Sequence, residues 1–204
     1  PIYVSPNGSD SNDGSENSPM ATIQAGLGAS SYAVKVLEGE YVMSSNIVVT
    51  PGITLTIDPG VTIKLNEDNQ IYIIGELISK GTSDNHITFT SNLNNPDRGD
   101  WGAIKFYNAS IDANFDSNGD YISGSIMQHT TIEYGTGVHL DNSSPFIDNS
   151  TIQYNSGHGI YGYPEGSPYT WKVTNCTINN NSQSGVYVAH YAITTIDGNI
   201  ISNN

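Results

Sequence analysis

Oxygen-bearing side chains alternate along one short segment, at residues 112, 114, 116, 118 and 120. Calcium takes hard oxygen ligands, and a loop of alternating Asp and Asn with a glycine at its sharp bend supplies several of them. The run from Asn114 to Gly119 matches the start of an EF-hand loop, although Ser125 stands where the bidentate glutamate belongs. The segment predicts either an isolated calcium loop or a plain solvated acidic loop. The candidate calcium ligands are Asp112, Asn114, Asp116, Asn118 and Asp120.

Aromatic side chains concentrate in a second segment, residues 161–171, whose prolines and glycines indicate a loop. Sugars bind aromatic rings through their flat apolar faces, and polar groups hold the sugar hydroxyls at the edges. The segment predicts either a sugar-binding platform or a loop whose rings pack onto the neighbouring repeat. The candidate sugar-binding residues are Tyr161, Tyr163, Tyr169 and Trp171.

Charge and composition exclude some partners. The chain of 204 residues carries 20 acidic and 6 basic side chains, a net charge of −14. Nucleic-acid binding requires a basic surface, so we expect no nucleic-acid partner. No apolar run approaches the ~18 residues of a membrane-spanning helix, so we expect no membrane insertion. Asn, Ser, Thr and Gly supply most of the polarity, and this composition favours strands joined by tight turns.

An internal repeat in the C-terminal half predicts the architecture that positions these segments. One isoleucine column recurs every 20 to 26 residues, and a second apolar column follows it. Repeats of this length are typical of solenoids, and short units rich in β-branched residues fit a parallel β-helix. Asparagines recur at the turns, where their stacked side-chain amides can hydrogen-bond from coil to coil. Asparagine also tolerates the left-handed backbone of a sharp turn. The isoleucines are Ile132, Ile152, Ile178 and Ile201, and the asparagines are Asn155, Asn181 and Asn204.

The sequence therefore predicts one all-β domain in two parts. Residues 1–44 form an N-terminal cap with a short helix, where Ile23 and Leu27 are four residues apart. Residues 45–204 form the coils. A solenoid needs a cap because its open end exposes core and strand edges. The sequence stops within a repeat at Asn204, which predicts either a truncated chain or an open C-terminal edge that associates end to end with another chain.

Several motifs along the whole chain suggest a relationship. They are the opening Ile2-Tyr3-Val4-Ser5-Pro6-Asn7-Gly8-Ser9-Asp10 with residues 21–25, and the later runs 60–63, 75–82, 87–91 and 100–104. With these motifs the chain resembles secreted bacterial proteins of the pectin-lyase-like superfamily. The resemblance implies a right-handed parallel β-helix and a secreted or cell-surface location. That superfamily includes polysaccharide lyases and hydrolases but also adhesins and repeat modules, so the resemblance alone does not decide function.

The resemblance also implies what a catalytic site would contain. Lyases of this superfamily use Lys or Arg to take the proton beside a uronate carboxylate, often with calcium. Among the basic residues, Arg98 and Lys105 form the grouping that fits this role. Hydrolases of the same fold use clustered aspartates, and no cluster is expected here. The aspartates expected to lie scattered across turns are Asp141, Asp148 and Asp197.

These observations favour a non-catalytic secreted or cell-surface module that binds polysaccharide, as an adhesin or scaffold, and is stabilised by calcium. A polysaccharide lyase or glycoside hydrolase is the main alternative, and a fibre subunit that stacks end to end is another. His139 and His158, expected one coil apart, form either a zinc pair or two exposed turn histidines. His129 and His190 share no clear metal-binding spacing with them.

Overall fold

In a computed structural model that describes residues 1–163, 169–189 and 192–204, the chain forms three long parallel β-sheets around one apolar core. The side chains of residues 169, 192 and 193 lie outside this description. Successive strands pass from sheet to sheet, and each circuit of the core is one coil. Seven coils follow one another from Ala33, and the seventh contributes strands to two sheets. The predicted all-β parallel β-helix is confirmed.

The three sheets are numbered here in the order in which each coil visits them. The first contains β1 (Ile2–Val4), β2 (Ala33–Val36), β5 (Thr54–Ile57), β8 (Glu76–Lys80), β13 (Ile126–Gln128), β16 (Phe146–Asp148), β19 (Tyr169–Thr174) and β22 (Ala192–Asp197). The second contains β3 (Glu40–Met43), β6 (Thr62–Leu65), β9 (Ile87–Ser91), β14 (Thr130–Glu133), β17 (Thr151–Gln153), β20 (Thr177–Asn179) and β23 (Ile200–Ser202). The third contains β4 (Ile47–Val49), β7 (Ile71–Ile73), β10 (Ala103–Phe106), β15 (Gly137–Asp141), β18 (Ile160–Tyr163) and β21 (Val186–Val188). The strands β11 (Asn114–Phe115) and β12 (Tyr121–Ser123) form a separate antiparallel hairpin.

The strands form because aliphatic side chains alternate with polar ones, so that one face of each strand enters the core. Coils stack in register, and the predicted isoleucine column is confirmed. Ile132 lies beside Ile152, Ile152 beside Ile178, and Ile178 beside Ile201. Ile201 is 46% exposed on the last strand, and its neighbour Ile200 is 64% exposed. End-to-end association through this edge stays a prediction.

The N-terminal segment covers the first coil. Helix α1 (Ile23–Ala29) begins at Thr22, whose side chain accepts a hydrogen bond from the N–H of Ala25. Ile23 is buried against the core, as the four-residue spacing predicted. The first coil already begins at Ala33, because β2 and β3 pair in register with β5 and β6. The boundary predicted between residues 44 and 45 therefore falls inside this coil. No helix in the described ranges is long and apolar enough to span a membrane.

A hydrogen-bonded asparagine ladder runs along the turns between the second and third sheets. The Oδ1 atom of Asn181 accepts from the backbone N–H of Asn155 at 3.1 Å and from its Nδ2 at 2.9 Å. Asn204 accepts the same two bonds from Asn181, at 3.1 and 2.9 Å. Asn155 continues the ladder downward by accepting from the N–H of Gly135 at 3.0 Å. The predicted ladder is confirmed, and it holds the turns that frame the third sheet.

Candidate functional site

An outward-facing column of side chains runs along the third sheet. Its members occupy equivalent positions on successive strands, each flanked on its own strand by buried residues or, in the last strand, by partly buried valines that pack against the core. Strand alternation requires this placement, because the neighbours of each member belong to the core. From the second coil to the sixth, the column consists of Tyr72, Lys105, His139, Tyr161 and Tyr187.

The rings at the upper end of this column stack on one another. Tyr161 and Tyr187 have centroids 5.6 Å apart and planes within 14°. His158, from the preceding turn, stacks on Tyr187 at 4.7 Å and on Tyr161 at 5.5 Å. His139 meets Tyr161 edge-on at 5.5 Å. Tyr187 is 43% exposed, so the stack ends in a ring that solvent reaches.

A long connection forms the wall beside this column. The wall loop, residues 92–102, joins β9 to β10 and leans across the later coils. The N–H of Gly99 donates to the carbonyl of Tyr134 at 3.1 Å, and Nη1 of Arg98 donates to Oγ of Ser182 at 3.1 Å. The wall loop therefore reaches from the third coil to the turn of the sixth.

Two open grooves lie along the column and share one residue, Thr136. The lower groove has a volume of about 280 Å³ and contains Lys105, Gln70 and Gly99 in its lining. The upper groove has a volume of about 410 Å³. Its lining combines rings with hydroxyl and amide groups, from Thr136, His139, Ser156, Gly157, His158, Tyr161 and Gln183.

Two of the six basic side chains, Arg98 and Lys105, lie on this face. Lys35 and Lys64 form ion pairs with Asp58 and Glu40 on the lower coils. Among the described residues, neither Arg98 nor Lys105 forms an ion pair, and the ammonium of Lys105 lies 5.9 Å from the ring centre of Tyr72. Both cations are therefore free of a carboxylate partner on the same side of the stack.

The two histidines of the upper groove are held neutral. Burial lowers the pKa of His139, and nearby Lys105 and His158 lower it further. Burial also lowers the pKa of His158. The N–H of Ser184 donates to Nδ1 of His158 at 3.1 Å, and only an unprotonated nitrogen accepts such a bond. At neutral pH the groove therefore presents uncharged imidazoles beside the tyrosine rings.

The sequence was compared with profiles of known protein families. A family profile described as a pectate-lyase-like beta helix domain matches residues 29–160, which is more than half of the chain. The chain belongs to this family. Searches of curated proteins and of solved structures gave no match. The match covers the lower four coils of the pectate-lyase-like domain and the first two strands of the fifth, including Lys105, His139 and the wall loop.

The predicted aromatic platform of this pectate-lyase-like domain is only partly assembled. Tyr161 and Tyr163 both point outward from β18. Trp171 was predicted to bind sugar, and this is wrong, because the indole is 1% exposed. It fills the space above Gly162, where an added Cβ would lie 1.3 Å from the ring. The side chain of Tyr169 and residues 164–168 lie outside the described residues.

The sequence interpretation missed His158 and Tyr187 as members of this site, together with Tyr72. A signal for Tyr187 was present, because it follows the second apolar column at the position that the predicted Tyr161 occupies one coil earlier. The two residues predicted as a lyase pair, Arg98 and Lys105, lie on this face. Lys105 lies in the column and Arg98 in the wall, so the domain brings both to one face.

The oxygen-rich segment 112–120 forms the tip of the β11–β12 hairpin and its approach. Asp112 turns toward the neighbouring coil, where its Oδ1 accepts from the N–H of Ser144 at 2.6 Å. Oδ1 of Asp116 accepts from the N–H groups of Asn118 and Asp120, both at 2.9 Å, and thereby closes the turn. The N–H of Asp120 contributes most to holding the pKa of Asp116 below its ordinary value.

Among the described residues, no three His, Cys, Asp or Glu side chains form a group that could hold a metal ion. This finding covers the acidic members of the hairpin tip, whereas His139 and His158 are a pair only, and His190 lies outside the described residues. Calcium binding by Asp112, Asn114, Asp116, Asn118 and Asp120 stays a prediction, as does the zinc pair.

A cleft of about 450 Å³ on the first sheet corrects one expectation about the aspartates. Asp148 and Asp197 were expected to be scattered, but both line this cleft together with Asp120. Asp148 is 6% exposed, and burial opposes its ionisation. Four donors outweigh that effect and hold the pKa of the carboxyl below its ordinary value; they are Thr174, Gln128, Asn175 and Asn149. The hydrogen-bonding capacity of the Asp148 carboxylate is thus used by donors of the protein itself.

Proposed function

We propose that this pectate-lyase-like domain is a non-catalytic carbohydrate-binding module of a secreted or cell-surface protein. Its binding face is the third sheet with the wall loop. The main support for this proposal is the stack of His158, Tyr161 and Tyr187 beside an open groove of about 410 Å³. Sugars require this combination of flat rings and polar groups at the rim.

The rim of the upper groove supports a polysaccharide ligand rather than an apolar one. Thr136, Ser156 and Gln183 supply hydroxyl and amide groups, each able to donate and accept. Nδ1 of the neutral His158 already accepts from the N–H of Ser184, so the N–H of its other ring nitrogen remains as a donor for a ligand. The grooves follow the long axis of the stack, because they are lined by residues of successive coils. An extended polysaccharide chain fits such a shape. The family is described as pectate-lyase-like, and pectate lyases act on a polysaccharide.

Binding to a panel of immobilised neutral and uronate polysaccharides tests this proposal. Tyr161→Ala and Tyr187→Ala should each weaken binding about tenfold, equivalent to ~1.4 kcal/mol, because each removes one stacking surface. Tyr32→Ala is the matched control. Tyr32 is 61% exposed and lies beside the first coil, five coils from Tyr187, so its loss should leave binding unchanged. Equal binding by the groove variants and the wild type would refute the proposal. A wild-type protein that binds none of the immobilised polysaccharides would also refute it.

A polysaccharide lyase is the second candidate, and one observation favours it. Arg98 and Lys105 lie on the same face, and neither has a carboxylate partner among the described residues. A lyase uses one cation to neutralise the uronate carboxylate and a base to take the adjacent proton. Incubation with polyuronates, followed by ultraviolet absorbance of the unsaturated product, separates the two functions. Turnover that disappears in Lys105→Ala and Arg98→Ala would replace the non-catalytic proposal with this one.

A further inference from the structure

Two tyrosines occupy backbone positions that ordinarily exclude bulky side chains. On four successive coils, the residue after the second-sheet strand has a left-handed backbone. In the last two coils this residue is Asn180, with φ 54°, and Asn203, with φ 55°. In the fourth and fifth coils it is Tyr134, with φ 63°, and Tyr154, with φ 53°. Asparagine tolerates this conformation through its short polar side chain, whereas a bulky residue there is an outlier.

The strained backbone is held in place by the surrounding turns. Gly135 and Asn155, the residues that follow the tyrosines, donate their N–H groups to the asparagine ladder. The carbonyl of Tyr134 accepts from the N–H of Gly99 in the wall loop. Strained residues persist only where such contacts over-determine them, and they cluster at functional sites. The two rings lie 5.8 Å apart with planes within 10°.

Stability of the fold alone does not explain the choice of tyrosine. A stacked aromatic pair on the surface returns less free energy than two bulky residues lose in a left-handed backbone. Asparagine, which the chain uses at the same position twice, would avoid the loss. Tyr154 is nevertheless 36% exposed. The next member of the column, Asn180, donates to Oδ1 of Asn179 at 3.0 Å and carries no ring. The aromatic stack therefore ends at Tyr154, whose ring is partly exposed.

We infer that Tyr134 and Tyr154 form a second platform, the corner platform, which binds a pyranose ring of a neutral polysaccharide. The sugar ring continues the stack beyond Tyr154, above Asn180. The inference rests on the proposed function for its class of ligand but uses a different surface. Tyr134 and Tyr154 precede Thr136 and Ser156, which line the upper groove, by two residues each. The corner platform and the upper groove therefore belong to the same turns of the fourth and fifth coils.

The neighbours of the corner platform favour a neutral sugar over other ligands. Nε2 of Gln153 donates to Oε2 of Glu133 at 2.9 Å, and this pair lies one residue before the two tyrosines. Glu133 repels an anionic sugar, and it accepts hydrogen bonds from the hydroxyls of a neutral one. The residues beside the two tyrosines in the chain and at the same turn of the next coil are polar; they are Glu133, Gln153, Asn179 and Asn180. A protein partner would instead need a wider apolar surface.

The double variant Tyr134→Asn with Tyr154→Asn tests the inference, because the chain itself shows that asparagine suits this position. The variant should unfold at the same temperature as the wild type or higher. Its affinity for neutral hexasaccharides of glucose, xylose and mannose, measured on an array and by calorimetry, should fall about tenfold. Tyr154→Phe keeps the ring and should keep most of the affinity.

The outcomes separate this inference from the proposed function. If Tyr161→Ala and Tyr187→Ala lose binding while the asparagine double variant binds like the wild type, the corner platform is overturned and the groove survives. If only the double variant loses binding, the corner platform survives and the groove proposal fails. A wild-type protein that binds none of the hexasaccharides overturns the corner platform. A double variant that unfolds more easily than the wild type contradicts the argument from strain.

Discussion

Replacement of Asn181 by alanine should remove the central link of the asparagine ladder. Asn181 is 2% exposed, and its side chain accepts from the N–H of Asn155 and donates to the carbonyl of Ile152 at 3.1 Å. The variant leaves both buried backbone groups without these partners. Each buried group left unpaired costs about 1–3 kcal/mol. We therefore expect Asn181→Ala to lower the free energy of unfolding by about 2–6 kcal/mol.

Two measurements test this expectation. The midpoint of guanidinium unfolding should fall, and the amide hydrogen of Asn155 should exchange with solvent at least tenfold faster, because its acceptor is gone. Asn179→Ala is the matched control on the same coil, since its side chain faces outward from β20, and it should change stability by less than about 0.5 kcal/mol. Equal effects of the two variants, or unchanged exchange at Asn155, would show that the ladder does not hold the turns.

Three further predictions concern other parts of the chain. Gly162→Ala should destabilise the fold by about 3 kcal/mol, measured by chemical denaturation, because the new methyl group collides with Trp171, and Trp171→Leu should recover part of that loss. Calorimetric titration with calcium should show binding at the 112–120 hairpin that Asp116→Asn and Asp120→Asn weaken; no heat at millimolar calcium would contradict the proposed metal role. The lowered pKa of His139 means that its stabilising effect is present above the ordinary value of 6.5 and is lost as the pH falls below it. His139→Gln should therefore flatten the decline of melting temperature between about pH 7 and pH 5, and an unchanged decline would count against the burial argument.

The sequence predicts the ladders well because each depends on one local pattern repeated at nearly constant spacing. Ile132 and Ile152 align by eye, and parallel pairing then places them together. Asn155 and Asn181 follow the same logic. Such columns need no knowledge of the loops, since neighbouring coils alone decide them.

The grooves could not be predicted in the same way, because they depend on connections of irregular length. The wall loop contacts Ser182, which lies 84 residues after Arg98, through a single hydrogen bond. Nothing in the composition of residues 92–102 indicates that direction. Trp171 illustrates a second limit. Its neighbour across the core is Gly162, and only a packed structure shows that the missing side chain makes room for the indole.

The corner platform escaped the sequence interpretation for a third reason. Tyr134 and Tyr154 stand in the alignment where Asn180 and Asn203 stand, so the column was visible. The left-handed backbone that makes the tyrosines unusual appears only in the dihedral angles. A position at which a repeat departs from the residue its geometry favours is informative once that geometry is known.

The wall loop has a consequence for how the stack unfolds. In a solenoid each coil contacts only its two neighbours. The coils at one end can therefore unfold without those at the other end. The bond from Arg98 to Ser182 joins the third coil to the turn of the sixth and bypasses the two coils between them. Such a tie converts nearest-neighbour coupling into a longer-range one. Opening of the third coil should therefore be coupled to opening of the sixth, by at most the worth of one exposed hydrogen bond, about 0.5–1.5 kcal/mol.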